Sequence, residues 1–555
     1  MNFERIWLYL ILAMACLPKA APGATNTIRI VAQYHCAGGE QLTGHTNLVT
    51  LNRIRALPST AAFRKLAIDK VSALLAGGLG FETNAFVRAL ISPLLTDLLQ
   101  TESFGAFGGF SGNVLGFVLA LQLDTNRAQL WQDNFSKALG SAGERFTTEG
   151  FSGWRWNRGG SASVGLPDNK SAIALATAEA LATAGVSPTN SDSFWIVPAR
   201  DWLLVGRGDD LLPLRIDYLQ QVSRRGRPGP SLKENLLEAD IDWLGLTRWL
   251  PEWSRLLKPA RIKVSVAAID DVMQLTARVV YPQPIPWESA PWQIPTELVR
   301  NPLVSFTAAQ DVAAFLNMDP AFSQLDCNPL TNQFYAWALG QMPFQTYMAW
   351  PVANGTNALD KLAIEAPAAF NPALKRFNGT ELIWHPNQKK LIWSSMPLVA
   401  PALEVAQDNG RQFLFMSLFP RSPMSKPVPD DLLAQVRGHA DLVYYDWELT
   451  GPRLQEWRLL SQMMANRSSG ESDEMFDANT VTESWLGGFG SLDINTVTEI
   501  NRVASNELSL VRTSPVGFTG LEMVLFSDWL SNAGAGPANR QPLPPRKTAS
   551  PPTLP

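Results

Sequence analysis

Histidine and cysteine are scarce in this chain of 555 residues: four of the first, His35, His45, His385 and His439, and three of the second, Cys16, Cys36 and Cys327. No HExxH pair, CxxC pair, P-loop or GxSxG elbow occurs, so the common zinc, redox, nucleotide and serine-hydrolase signatures are missing. Ser111 and Ser152 sit in glycine-rich settings near an elbow, but each lacks its final glycine, and a tight loop accounts for both. Charge is also sparse, at 17% of residues, and nearly cancels, with 46 basic against 50 acidic side chains. Without a strong field of one sign, the chain is not expected to bind nucleic acid or an anionic membrane surface. After the N-terminus no uncharged run approaches the roughly 20 residues of a membrane helix, which argues against a transmembrane span.

What is present begins with a leader pattern. Glu4 and Arg5 precede an apolar run from Ile6 to Cys16, followed by small residues and the breakers Pro18, Pro22 and Gly23. This layout predicts a secretory signal peptide over 1–23 and a periplasmic or secreted protein. Cleavage after Gly23 is the first reading. Cleavage after Ala15, with Cys16 as a lipidated N-terminus and an outer-membrane lipoprotein as the product, is the second. Ala13 stands where such sites usually carry leucine. In an oxidising compartment Cys36 and Cys327 become a candidate disulfide pair, with two lone thiols the alternative.

The 46% hydrophobic content is ample for a packed core and excludes disorder throughout. Two punctuation marks divide the chain: the basic, turn-rich segment 224–230, and a Pro-rich tail, 534–555, expected to be disordered. On both sides of the first, strand and helix patterns recur. A strand over 115–123 leads through a turn into a helix carrying Trp131. A strand over 442–449 leads through a turn at 450–452 into another, so that Thr125, Arg127, Gln129 and Trp131 align with Thr450, Arg453, Gln455 and Trp457. A hairpin and helix follow in both places, at 194–222 and 496–530, which suggests an internal duplication. Further hairpins over 260–282 and 380–393 make antiparallel pairing dominant, with helices on one face of each sheet. The expected fold is α+β, divided into an N-terminal repeat (24–222), a linker and Trp-rich helical segment (223–258) and a C-terminal repeat (259–533).

Three stretches, 292–316, 441–460 and 505–530, and more weakly 91–109, resemble a family of large exported hypothetical proteins from environmental Gram-negative bacteria. That family has no established activity. The resemblance implies export and a shared α+β fold, and it transfers no catalytic or ligand residue.

Candidate sites are few. His35, Cys36 and His45 offer nitrogen and sulfur ligands within 11 residues, although ordinary side-chain roles account for them and no metal or other cofactor is expected. Asp240 and Asp242, joined by Glu238, would face one side of an extended chain and could divide acid and base duties; capping the helix that follows is the plainer role. The acidic stretch 471–479 lacks the ligand spacing of a calcium loop and is expected to be a solvated loop. Tryptophan is plentiful, at 19 residues, clustered at Trp154 and Trp156, at Trp243, Trp249 and Trp253, and at Trp287 and Trp292. Such faces can stack on sugars or line an apolar pocket, and core packing is the alternative. The sequence leans away from an enzyme. It points to an envelope protein that binds an unknown envelope partner, an apolar ligand or a polysaccharide, with a polymer hydrolase using Asp240 and Asp242 as the alternative.

Overall fold

The computed structural model describes residues 29–531 apart from 80, 82–83, 110–115, 158–192, 209–210, 248–258, 286–289, 313–331, 341–344, 379, 396–398, 420–425, 429, 466–472, 491 and 493. The leader, Cys16, Trp249, Trp253, Trp287, Cys327 and the Pro-rich tail lie outside the described residues.

Strand β1 (Arg29–Cys36) is followed by helices α1 (Gly39–Gly44), α2 (Val49–Arg55), α3 (Pro58–Gly78) and α4 (Ala85–Gln100). Then come β2 (Ser103–Gly109), β3 (Gly116–Gln122), α5 (Thr125–Leu139), β4 (Glu144–Thr148), β5 (Phe151–Asn157), β6 (Ser193–Ala199), β7 (Trp202–Arg207) and α6 (Leu212–Arg225). The first half closes with β8 (Asn235–Asp242), α7 (Trp243–Thr247), β9 (Arg261–Ile269) and β10 (Val272–Val280). The second half runs β11 (Leu303–Gln310), β12 (Gln333–Leu339), β13 (Thr346–Val352), α8 (Gly355–Asn378), β14 (Glu381–His385), β15 (Lys390–Ser394), β16 (Ala402–Asp408), β17 (Arg411–Ser417) and α9 (Asp430–Arg437). It ends with β18 (Leu442–Leu449), α10 (Thr450–Ala465), α11 (Asp473–Phe489), β19 (Asn495–Ala504), β20 (Glu507–Ser514) and α12 (Gly520–Ser531).

Among the described residues these twenty strands belong to one antiparallel sheet, and Arg300–Asn301 pairs with Lys426–Pro427 in a separate two-stranded one. In space the first half reads β4-β5-β6-β7-β3-β2-β1-β8-β9-β10, and the second β14-β15-β16-β17-β13-β12-β11-β18-β19-β20. The two orders agree strand for strand. Register irregularities also coincide: β1 shifts against β2 between Ile30 and Ala32, and β11 shifts against β12 between Leu303 and Ser305. The halves join where β10 pairs with β20. Thr276, the fifth residue of β10, lies opposite Val511, the fifth of β20, so the joint is symmetric about that pair.

Mixed α+β character and antiparallel pairing are as the sequence predicts. Three details differ. By spatial order β3 answers to β13 and β18 to β8, so the alignment of Thr125–Trp131 with Thr450–Trp457 matches segments in different places of the sheet. The stretch 223–258 contributes β8, a central strand between β1 and β9. Helices cover both faces: α5 packs on Leu203 and Val205, α6 on Trp202 and Leu204. The reason lies in β6 and β7, whose residues are apolar at nearly every position, so both of their faces need cover.

Local signals set the helices that matter below. Thr519 and Glu522 form a reciprocal N-terminal box on α12: the Thr519 N–H donates to Glu522 Oε2 at 2.9 Å and the Glu522 N–H to Thr519 Oγ1 at 3.3 Å. Helix α10 starts directly at Thr450 where a turn is expected, since Pro452 falls in the first turn, where proline costs no hydrogen bond. Part of the expected acidic loop, Asp473–Asn479, opens α11 instead. That helix carries Trp485, Leu486 and Phe489 into a core shared with α3 and α12, with Trp485 stacked on Phe63 at 3.7 Å.

Candidate functional site

Alternate residues of a strand face opposite ways, so each row of the sheet can be followed from strand to strand by register. One row on the face beneath α10 and α12 reads Thr307, Asp446, Thr498 and Arg512 across β11, β18, β19 and β20. Next to it stand Ser305, Glu448 and Thr496. Helix α10 adds Arg453 and Glu456, and α12 adds Glu522. Polar and charged groups thus converge on one side of the second half.

The contacts are specific. Arg512 donates Nη1 to Glu522 Oε2 at 2.8 Å, Nη2 to Glu522 Oε1 at 3.0 Å and Nε to Thr498 Oγ1 at 2.9 Å. This two-pronged geometry is the strongest that an arginine and a carboxylate form. Arg453 donates to Glu456 and to Thr346 Oγ1, and lies over the Trp457 ring at 4.4 Å. Glu448 Oε1 accepts the Gly520 N–H at 2.7 Å, at the start of α12. Asp446 accepts the Thr307 hydroxyl at 2.6 Å. A hydroxyl chain, Thr450 to Thr496 to Ser514, with 2.9 Å at each step, links α10 to the sheet.

Glu448, Arg453, Glu456, Arg512 and Glu522 are all buried, while Asp446 keeps part of its surface within reach of solvent. Burial pushes the Glu448 carboxyl up to about 7, helped by the neighbouring Asp446 charge and opposed by the Gly520 N–H. Asp446 and Glu456 are also raised by burial, against the pull of nearby arginines. Burial works against the Arg512 charge, but Glu522 outweighs it and the pKa rises. Tyr444, beside Asp446, is raised well above the usual phenol range by burial. Buried carboxylates with altered protonation mark functional sites more often than chance, and they also occur in structural networks.

The residues singled out from sequence lie elsewhere. Asp240 and Asp242 do share a face of β8, but Asp240 is engaged by the Arg261 guanidinium, and Asp242 Oδ1 accepts the Gly245 N–H at 2.9 Å, capping α7. Glu238 is exposed and accepts from Asn235 at 2.7 Å. Trp243 is core, against Ile241 and Leu246; Trp156 and Trp292 are buried as well, while Trp154 is half-buried. His35 and the half-buried Cys36 are consecutive on β1 and point to opposite faces, and His45 is exposed beyond the strand. His35 Nε2 meets Glu102 Oε1 at 2.7 Å, and Arg227 holds the same carboxylate. Among the described residues no group of three His, Cys, Asp or Glu side chains is placed to hold a metal ion, and no helix is long and apolar enough to cross a membrane.

The cluster around Asp446 and Glu448 was missed from sequence. Its signal is there in VYYDWEL: acids at alternate positions of an otherwise apolar strand, followed downstream by Thr496 and Thr498, then Arg512 and Ser514, again at alternate positions. The chain matches no protein-family model, no curated protein and no solved structure.

Proposed function

We propose that this is an exported cell-envelope protein that binds rather than catalyses: a scaffold for an envelope partner, an apolar ligand or a polysaccharide, built by internal duplication of a ten-strand unit. The strand orders, the coincident register shifts and the symmetric β10–β20 joint support the duplication. The observation that carries the binding reading is the face of β9, β10, β20 and β19 turned away from α10 and α12. Every side chain on it, from Lys263 through Thr276 and Val511 to Glu499, keeps contact with solvent. A broad sheet face left open across the joint of the two halves is a ready interaction surface. The hydrolase alternative has less support, since Asp240 and Asp242 are already engaged in an ion pair and a helix cap.

Native mass spectrometry of the full chain purified after export, with a pull-down from envelope extract, tests the reading against a Thr276→Arg, Val511→Arg variant. A bound mass or captured partner that disappears in the variant is expected. Binding unchanged by two large charges at the centre of the face would rule this surface out.

A further inference from the structure

The buried cluster does not balance its charge. Four carboxylates, Asp446, Glu448, Glu456 and Glu522, face two guanidinium groups, and both of those already have a carboxylate partner, Arg512 with Glu522 and Arg453 with Glu456. Among the described residues, Asp446 and Glu448, on one face of β18, have no ion-pair partner, and Arg512 and Arg453 act on them only while bound to other carboxylates. Their remaining neighbours are hydroxyls, Thr307, Thr450 and Thr496, the Tyr444 ring and the Gly520 N–H. Two uncompensated negative charges at this depth are costly enough that proteins usually neutralise one of them.

We propose that the Asp446–Glu448 pair is a proton-operated latch: with one proton on the pair, α12 and the start of α10 are held on the sheet, and loss of that proton loosens them. The route for the proton is Asp446, the one of the four carboxylates still within reach of solvent. The moving parts are defined by contact. Gly520, the first residue of α12, is bonded to Glu448, and Thr450, the first residue of α10, immediately follows β18 and is bonded to Thr496; because the Gly520 N–H favours the ionised carboxyl, the loosening comes from repulsion between two buried carboxylates and not from loss of that bond. The charges facing the pair from each packed element are Arg512 on β20, Arg453 and Glu456 on α10, and Glu522 on α12. The positive N-terminal ends of the two helices favour a first negative charge, with an effect of about half a unit charge each. They do not compensate a second. The raised Glu448 carboxyl fits this account. An exported protein would meet the outside pH through such a group.

Hydrogen exchange of the full-length protein from about pH 5 to about pH 8, corrected for intrinsic exchange, reads the latch directly. Protection of the α12 amides should fall by up to about tenfold per pH unit until the pair has lost its proton, then level off. Asp528 on α12 is itself raised by burial, so the assignment needs variants. Glu448→Gln keeps an acceptor for the Gly520 N–H and should flatten the profile, as should Asp446→Asn. A slope that survives in both variants, or a flat wild-type profile, overturns the proposal. If either variant fails to fold, infrared difference spectra of the wild type decide the matter. A protonated-carboxyl band that disappears near neutral pH supports the latch, and its absence across the range defeats it.

Discussion

Strands β8 and β18 hold the same place in their halves and carry opposite polarity. In the first half the row Tyr34, Ala239, Val264 and Ala277 runs across β1, β8, β9 and β10 and packs into an apolar core. The matching row of the second half is Thr307, Asp446, Thr498 and Arg512. On the other face the exchange is reversed: β8 presents Glu238 and Asp240, where β18 presents Tyr445 and Trp447, packed in or against a second core. Moving the acids by one residue along an alternating strand moves them to the other face of the sheet. The backbone arrangement is indifferent to this change. What differs is the energetics: the first half is held here by apolar burial, the second by a charge network whose worth depends on every partner being present.

The comparison is broken most severely by Arg512→Ala, which leaves Glu522 buried without its partner and should cost about 3–5 kcal/mol in urea unfolding. At the counterpart of Glu448, Ile241→Ala opens a cavity in the apolar core, at an expected cost of about 2–5 kcal/mol that stays the same between acid and neutral pH. Glu448→Gln should do the reverse. Because the folded Glu448 holds its proton up to about 7 against an ordinary 4.5, wild-type stability is full below 4.5, declines as pH rises to about 7 and is level above. The variant escapes that decline, and above neutral pH it should unfold at higher urea, by on the order of 3 kcal/mol, with no gain in acid. The smallest effect belongs to Asp240→Ala. Its Arg261 partner is largely exposed, so the loss should be about 0–1 kcal/mol and fade with salt.

Strands with strict alternation or continuous apolar runs were legible from sequence. The 442–449 expectation coincides with β18, and the hairpin expected over 194–209 appears as β6 and β7, Ser193–Ala199 and Trp202–Arg207. Punctuation was a weaker guide. The basic segment at 224–230 begins as the last turn of α6, with Arg224 and Arg225 near the helix's negative end, before Gly226 takes the left-handed conformation that stops it. The carboxylates chosen for chemistry, Asp240 and Asp242, were selected by their spacing, which the structure preserves. Asp446 and Glu448 have that same spacing. What distinguishes the two pairs is the burial of Glu448 and the partners that tertiary structure supplies, Arg261 and a helix cap for Asp240 and Asp242 but hydroxyls and the Gly520 N–H for Asp446 and Glu448.

The sequence by itself therefore determined the α+β class, the antiparallel pairing, most strand positions and the alternation along each strand, because these depend on local propensity and period. Tertiary structure alone decided which side of each strand was covered, which strand answered to which across the two halves, and which acids were removed from water. Those outcomes depend on pairings between residues as distant as Asp446 and Thr307, or Arg512 and Leu275, and no local pattern specifies them.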